Sequence, residues 1–249
     1  MPIVSQTQFC CATSIAARRA SLKTALILMA FGLAAELLPG LTHAAALSKG
    51  QRDAMTPDDV IAMLKHGNER FRAGRLQTHD YLAQKRASAS GQYPAAVILS
   101  CMDSRAPAEI IFDAGIGDTF DTRVAGNIVN DDLLGSLEYA CAAAGSKVVL
   151  VMGHTSCGAI EGAIDGANLG NLTGLLNKIK PALDATKFDG ERNSKNDAFV
   201  DAVAATNVRQ TIDQIRGRSD VLANLEKNGK IKIVGSMYHL VGGEVEFYS

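Results

Sequence analysis

The amino-acid sequence predicts an α/β fold, with a mostly parallel central sheet flanked by helices. Two continuous apolar runs, AAVILSC at residues 95–101 and KVVLVMGH at residues 147–154, have the character of buried parallel strands. Segments with helical periodicity alternate with these runs, and that alternation is typical of α/β proteins. We expect about four parallel strands and a C-terminal antiparallel edge strand, all within a single domain that spans residues 47–249.

Capping residues and apolar periodicity predict the N-terminal half element by element. A helix is expected at residues 56–74, because Thr56 can cap it and Pro57 suits its first position. The elements expected after it are the strand at residues 95–101, a strand at 119–126, a helix at 131–145, the strand at 147–154 and a helix that begins at Cys157.

The C-terminal half continues the pattern and ends in a hairpin. The expected helices span residues 172–185, 196–216 and 219–229. Two strands, KIKIVGSMYHL at residues 230–240 and GEVEFYS at residues 243–249, are joined through VGG, which is typical of a β-hairpin. The antiparallel edge strand of the sheet is therefore expected at the C-terminus.

The first 46 residues differ in composition from the rest of the chain. A basic stretch with Arg18, Arg19 and Lys23 precedes the apolar run TALILMAFGLAA and then small residues that suit a signal peptidase. This pattern predicts an export signal over residues 1–46, and the paired arginines resemble a twin-arginine signal. The mature protein would then be periplasmic and would meet a membrane only during export. The alternative is an uncleaved helix that is amphipathic or anchors the chain in a membrane.

Charge and cysteine content narrow the classes of partner and site. The formal net charge of −1 and the absence of a basic stripe with interleaved aromatic residues argue against a nucleic-acid partner. Beyond the export segment, three cysteines remain, Cys101, Cys141 and Cys157. An odd number at wide spacing is not a disulfide framework. A metal ion is one way for an exported protein to protect such thiols.

Two strand ends bring metal-ligand residues to one edge of the predicted sheet. Cys101 ends one buried strand, His154 ends another, and Cys157 follows at the start of a helix. Ligands of parallel sheets bind at the carboxyl ends of the strands, and if these two strands are neighbours, Cys101 and His154 lie side by side at that edge. A Cys-His-Cys set suits Zn²⁺, and three protein ligands with an open fourth position are the arrangement of a catalytic zinc. The alternative is two cysteines that act as small buried hydrophobic residues and a histidine that is satisfied within the core.

Charged residues follow the first of these strands. Asp103 and Arg105 lie two and four residues beyond Cys101. Such a pair can form a charge-assisted, bidentate contact that holds the carboxylate beside a metal. The alternative is an ordinary surface ion pair.

The sequences CMDSR and HTSCG together resemble the C-x-D-x-R and H-x-x-C motifs of the β-class carbonic anhydrases, over about residues 91–247. The resemblance implies one Zn²⁺ per subunit, with Cys101, His154 and Cys157 as ligands. It also implies reversible hydration of carbon dioxide to bicarbonate and a proton, through zinc-bound hydroxide oriented by Asp103 and Arg105. In a closed form, Asp103 would be the fourth zinc ligand.

The resemblance also implies a substrate pocket and an oligomer. Gln92, Phe120 and Tyr139 match pocket residues of the plant-like subgroup, and the Gly158 N–H matches a donor to the bound anion. Ala125 stands where a larger aliphatic residue commonly lines the pocket. Tyr139 has an alternative role as a core residue of an amphipathic helix. A homodimer or dimer of dimers is expected, with Gln92 serving the zinc of a neighbouring subunit.

Two other functions fit the same residues. A relative with this metal site could hydrolyse carbon disulfide or carbonyl sulfide instead of hydrating carbon dioxide. A protein with this fold could also bind bicarbonate or zinc without catalysis. The intact Asp103 and Arg105 pair argues against the second alternative.

Overall fold

The computed structural model describes residues 46–248, so the expected export segment lies outside the described residues apart from Ala46. Five strands form one sheet in the order β2-β1-β3-β4-β5. They are β1 Ala96–Ser100, β2 Thr119–Arg123, β3 Val148–His154, β4 Lys232–Tyr238 and β5 Val245–Phe247. Strands β1 to β4 are parallel to one another, and β5 is antiparallel to β4. This arrangement confirms the predicted fold class.

Ten α-helices surround the sheet within the described residues. They are α1 Lys49–Ala54, α2 Pro57–Arg72, α3 Tyr81–Ser88, α4 Ala108–Ile111, α5 Asp131–Glu138, α6 Gly158–Ile164, α7 Gly170–Leu176, α8 Lys180–Ala185, α9 Asp197–Arg218 and α10 Asp220–Lys227. Local capping explains two predicted helix starts. Thr56 accepts a hydrogen bond from the N–H of Asp59 at α2, and Ser219 accepts one from Leu222 at α10.

Alternate residues of the buried strands contribute to different faces of the sheet. In β1, Val97 and Leu99 pack with α5, α9 and α10, whereas Ile98 packs with α2 and α4. Both faces are therefore covered, which explains why β1 and β3 are apolar without alternation. None of the helices within residues 46–248 combines the length and the apolar character that a membrane span needs.

Several boundaries differ from the predicted ones. The single helix expected at residues 172–185 is two helices, α7 and α8, and Pro181 lies in the first turn of the second. Proline lacks an N–H and clashes with the preceding turn, so it starts helices rather than continuing them. The helix expected at residues 131–145 is α5 followed by a π-helical turn at Tyr139–Ala143. The short helices α1, α3 and α4 were not predicted, because they carry little apolar periodicity.

The strand expected at residues 119–126 ends at Arg123 and is followed by a 3-10 turn at Ala125–Asn127. Gly126 has a φ of 67° in this turn, a conformation that glycine adopts without steric penalty. The chain is thereby turned across the carboxyl end of β1. This turn places a backbone N–H beside one of the predicted metal ligands.

The outer edge of β4 is covered by side chains over part of its length. Among the described residues, β5 pairs only with Ser236, Met237 and Tyr238. Farther towards the start of β4, Glu226 accepts a hydrogen bond from the Ile233 N–H at 3.1 Å, and Arg216 donates to the Ile233 carbonyl at 3.0 Å. Arg216 and Glu226 also bind each other through two hydrogen bonds of 2.7 and 2.8 Å.

Candidate metal centre

The order of the strands brings the three predicted ligands together. β1 and β3 are neighbours, with Ser100 opposite Met152, so Cys101 and His154 both lie at the carboxyl edge. Cys157 precedes α6 on the same edge. The potential ligand atoms of these three buried residues all lie within 4.8 Å of one another. The two sulfurs are 3.9 Å apart.

The two sulfurs lie close enough for one thiol to donate a hydrogen bond to the other. The hydrogen bond from Cys157 lowers the pKa of Cys101 to about 4, and the same hydrogen bond raises the pKa of Cys157. A further donor to the Cys101 sulfur is the Gly126 N–H at 3.4 Å. A metal cation could replace the thiol protons and hold both sulfurs as thiolates, which are the form that binds metals.

His154 presents one nitrogen to the cluster and fixes the other. Its Nδ1 lies 2.9 Å from the Thr155 carbonyl oxygen, so Nδ1 carries the hydrogen and donates it. Its buried Nε2 has no hydrogen bond of ordinary geometry among the described residues and interacts electrostatically with the Cys101 sulfur. A satisfied core histidine would not leave this nitrogen without such a hydrogen bond, because buried polar atoms are nearly always hydrogen-bonded. The donor set and the position of Nε2 fit a Zn²⁺ ion.

Asp103 lies against the cluster and is held by Arg105. Arg105 Nε donates to Asp103 Oδ1 at 3.0 Å and Nη2 donates to Oδ2 at 2.7 Å, a bidentate contact. Arg105 lowers the pKa of Asp103 to about 2, so the carboxylate stays ionised at neutral pH. The Asp103 side chain is only 15% exposed, and its Oδ2 is 3.7 Å from His154 Nε2. Arg105 itself is 55% exposed, so the pair joins a shielded carboxylate to an exposed guanidinium.

Two residues that contact the backbone of the site were not identified from the sequence. Arg123, at the end of β2, donates to the Cys101 carbonyl at 3.0 Å and also to the Asp103 carbonyl. The sequence signal that marks Arg123 is its position at the end of a strand that pairs with β1. Asp201 of α9 accepts a hydrogen bond from the Ser156 N–H at 2.9 Å. No local pattern marks Asp201, because its partner lies 45 residues away in the chain.

The predicted pocket residues divide into two groups. Ala125 precedes Gly126 in the turn beside Cys101, and Gly158 is exposed at the first position of α6. Phe120 instead pairs with Val97, four residues before Cys101, which is roughly 13 Å along the strand.

Phe120 forms an edge-on contact with Tyr139, with ring centroids 6.1 Å apart, beside an open groove of about 530 Å³. Tyr139 is 55% exposed, so it is not a core residue. Gln92 is exposed before the start of β1, at the end opposite to Cys101. Within one chain, the structure therefore does not bring Gln92, Phe120 and Tyr139 to the metal ligands.

A family model described as carbonic anhydrase matches residues 96–245, which is more than half of the chain. The chain belongs to the carbonic anhydrase family. This family membership makes the protein an enzyme of the lyase class. The matched residues contain all three ligands of the candidate metal centre, together with Asp103 and Arg105.

Known relatives place this carbonic anhydrase in the β class. Carbonic anhydrase 2 of Mycobacterium tuberculosis is 38% identical over 186 residues, which cover 72% of this chain and 87% of that protein. A tetrameric β-carbonic anhydrase of Sordaria macrospora has a similar structure, with a TM-score of 0.57 and 26% identity over 65% of this chain and 83% of that one. A carbon disulfide hydrolase of Acidithiobacillus thiooxidans is 37% identical over 71 residues, 26% of this chain and 33% of that protein.

Proposed function

We propose that this carbonic anhydrase hydrates carbon dioxide reversibly to bicarbonate and a proton, with one Zn²⁺ held by Cys101, His154 and Cys157. The observation that carries the proposal is the convergence, within 4.8 Å, of two buried sulfurs and one imidazole nitrogen without a hydrogen bond of ordinary geometry. Sulfur and imidazole ligands suit Zn²⁺, and three protein ligands leave the fourth position for a reactant.

The chain's own residues then prepare the reaction. A Zn²⁺ ion held there would lower the pKa of a water molecule to about 7 and would so supply a nucleophile near neutral pH. Asp103 is an ionised, acceptor-only carboxylate beside His154, so it can accept a hydrogen bond from the nucleophile and direct a lone pair at carbon dioxide. Arg105 holds both oxygens of that carboxylate. The short distance from Asp103 to His154 Nε2 also supports Asp103 as the fourth ligand in a closed form.

The substrate side combines small and polar groups. Ala125 leaves room for an apolar molecule beside Cys101, and the exposed Gly158 N–H at the start of α6 can donate to an oxygen of bicarbonate. We place Gln92, Phe120 and Tyr139 in the pocket of a neighbouring subunit, because they lie away from the ligands of their own chain. This makes the active unit a homodimer or a dimer of dimers with a plant-like pocket. The Sordaria macrospora relative is tetrameric.

The zinc assignment is tested with Cys157→Ser and a matched buried cysteine, Cys141→Ser. We expect Cys157→Ser to lose both zinc and carbon dioxide hydration, measured by metal analysis and by stopped-flow assay. Cys141 is buried outside the cluster, so its variant should keep both. Full zinc content and normal hydration in Cys157→Ser would refute the proposal. Zinc binding without any hydration by the wild type would favour the non-catalytic module.

The shared pocket is tested by mixing two impaired variants. Cys157→Ser lacks a metal ligand but keeps Gln92, whereas Gln92→Ala keeps the metal ligands. If Gln92 serves the neighbouring subunit, a refolded mixture contains sites with zinc and glutamine together and regains activity above either variant alone. Activity equal to the average of the two variants would place Gln92 in the pocket of its own chain.

A second candidate substrate is carbon disulfide or carbonyl sulfide. The 71-residue match to a carbon disulfide hydrolase supports it, although the match covers a smaller part of the chain than those to carbonic anhydrases. Assays of purified, zinc-analysed protein with each substrate in parallel separate the two activities. Faster turnover of carbon disulfide than of carbon dioxide would change the assignment.

We also propose that residues 1–46 direct export, by a route that resembles the twin-arginine pathway, and that residues 47–249 form the mature periplasmic domain. The basic stretch, apolar run and small residues of the segment support this. Fractionation of cells that express the full chain, with N-terminal sequencing of the product, is the test. A cytoplasmic protein that retains Met1 would contradict the proposal.

A further inference from the structure

The turn between β3 and α6 has an unusual backbone conformation. Ser156 has a φ of 49°, in the left-handed region that residues other than glycine rarely adopt. Its neighbour Cys157 is one of the proposed zinc ligands. A strained residue beside a functional group persists only where the surrounding structure holds it in place.

Both backbone polar groups of Ser156 are held by charged side chains. Its N–H donates to Asp201 Oδ1 at 2.9 Å, and its carbonyl accepts from Arg105 Nη2 at 3.2 Å. The preceding residue is fixed separately, because the Thr155 N–H donates to the Tyr238 carbonyl at 3.0 Å. The left-handed conformation of Ser156 therefore depends on contacts outside its own turn.

Asp201 is not needed by its own helix. Only the N–H groups in the first turn of a helix lack helical partners and need a capping side chain. Asp201 is the fifth residue of α9 and lies beyond that turn. Its carboxylate is half-buried, and burial raises the pKa of Asp201, which is unfavourable for an ionised group. The described hydrogen bond that compensates for this burial is the one from the Ser156 N–H.

We propose that Asp201 is a positioning residue for the metal centre. It holds Ser156 in the left-handed conformation, and it thereby fixes both Cys157 and the carbonyl that orients Arg105. The inference rests on the proposed function, because it assigns Asp201 to the support of that zinc site. Asp201 makes no hydrogen bond to the three ligand side chains and acts through the turn.

The first test compares Asp201→Ala, Asp201→Asn and Asp213→Ala. Asp213 is an exposed residue of the same helix, so its variant controls for the loss of one negative charge. We expect Asp201→Ala to weaken zinc binding about 10- to 100-fold, as is usual when a group that supports a ligand is removed. Asp201→Asn keeps the acceptor oxygen, so its zinc affinity should stay within about threefold of that of the wild type, a much smaller change than in Asp201→Ala. Zinc affinity is measured by competition with a chelator.

Two further readouts separate positioning from a general loss of stability. The visible spectrum of the Co²⁺-substituted protein should change in Asp201→Ala and stay unchanged in Asp201→Asn and Asp213→Ala. In the metal-free protein, the Ser156 amide should exchange its hydrogen faster in Asp201→Ala alone. An unchanged zinc affinity and cobalt spectrum in Asp201→Ala would overturn the proposal, as would an equal loss in Asp201→Asn.

The second test uses the strained conformation itself. Glycine adopts a positive φ without steric penalty, so Ser156→Gly should reduce the dependence of the turn on Asp201. We expect Asp201→Ala to weaken zinc binding less in the Ser156→Gly background than in the wild type. An equal loss in both backgrounds would overturn the proposal.

These readouts do not require carbon dioxide hydration. If the wild type binds zinc but hydrates no carbon dioxide, the proposed activity fails while the role of Asp201 is still decided by zinc affinity. If the wild type binds no zinc, the proposed centre fails, and amide exchange of Ser156 still decides whether Asp201 holds the turn.

Discussion

Two carboxyl groups near the neighbouring strands β1 and β2 show how the surroundings of a side chain determine its ionisation. Asp103 follows β1 and is held by Arg105, which lowers its pKa to about 2. Asp121 lies in the edge strand β2, where burial raises its pKa to about 6 and the nearby Glu109 adds to the shift. Asp121 accepts one hydrogen bond, from the Thr119 hydroxyl at 2.8 Å, and its Oδ1 has no partner among the described residues.

The difference teaches that burial alone does not identify a functional acid. Both carboxylates are shielded from solvent, yet only Asp103 has a bidentate cation and a metal-ligand cluster beside it. The acid at the metal centre is built to stay ionised. At the sheet edge, the surroundings of Asp121 favour the protonated form of the carboxyl group. Substitutions and changes of pH that remove the negative charge should therefore impair the site at Asp103 and stabilise the fold at Asp121.

The largest effect is expected when Asp103 is removed. Asp103→Ala should retain zinc, because the sulfur and imidazole ligands remain, and should lower kcat about 100-fold or more, because the hydrogen-bond acceptor that orients the nucleophile is lost. Stopped-flow hydration and metal analysis measure the two quantities. Wild-type turnover in this variant would exclude Asp103 from the mechanism.

Replacing the partner of Asp103 should have a smaller effect. Arg105→Lys keeps the positive charge but cannot form the bidentate contact or reach the Ser156 carbonyl in the same geometry. We expect kcat to fall about 10-fold with zinc content unchanged, since a displaced supporting group commonly costs 10- to 100-fold. If this variant were as slow as Asp103→Ala, the bidentate contact of the guanidinium, and not its positive charge, would be what keeps the carboxylate functional.

At the other carboxylate the expected effect is on stability. Because the pKa of Asp121 is higher in the folded than in the unfolded protein, the unfolded chain loses its proton first as pH rises from about 4 to about 6. Stability should therefore fall across that window and stay lower above it. Asp121→Asn removes the ionisation and should stabilise the protein at pH 8 by about 1–2 kcal/mol. Denaturant unfolding at pH 4 and pH 8 measures this; a loss of stability at pH 8 would contradict it.

The smallest effect is expected from the hydroxyl beside Asp121. The hydrogen bond from Thr119 lowers the pKa of Asp121, in opposition to burial. Thr119→Val keeps the side-chain shape and removes the donor, so the pKa of Asp121 should rise further. The midpoint of the pH dependence of unfolding should shift upwards by a fraction of a pH unit, since a neutral hydrogen bond contributes about 1 kcal/mol. A downward shift would show that the hydroxyl does not stabilise the ionised form.

The sequence was sufficient for features that depend on local or periodic signals. The buried strands β1 and β3, the caps Thr56 and Ser219 and the C-terminal hairpin follow from the order of apolar, capping and turn residues. The metal cluster was predicted for the same reason, because its ligands stand at strand ends. The order of β1 and β3 was an assumption that the structure confirms.

Features that depend on contacts between distant residues could not be predicted from the sequence. The Ser156 contact with Asp201 joins residues 45 positions apart, and nothing in the local pattern of α9 predicts it. The family resemblance named Phe120 and Tyr139 as pocket residues, but only the strand register shows that they lie away from the metal ligands of their own chain. The ionisation of Asp121 likewise depends on packing around β2 and not on its neighbours in sequence.

The side chains along β4 have a consequence for aggregation. The outer edge at Ile233 lies in IKIV, a stretch rich in residues that favour intermolecular strand pairing. Arg216 and Glu226 occupy both backbone groups of Ile233, and Arg216 also lowers the pKa of Glu226, so the carboxylate remains charged. A strand from another molecule would have to displace a charged pair to bind there. Two ordinary surface residues thus act as a barrier against amyloid-like growth of the sheet.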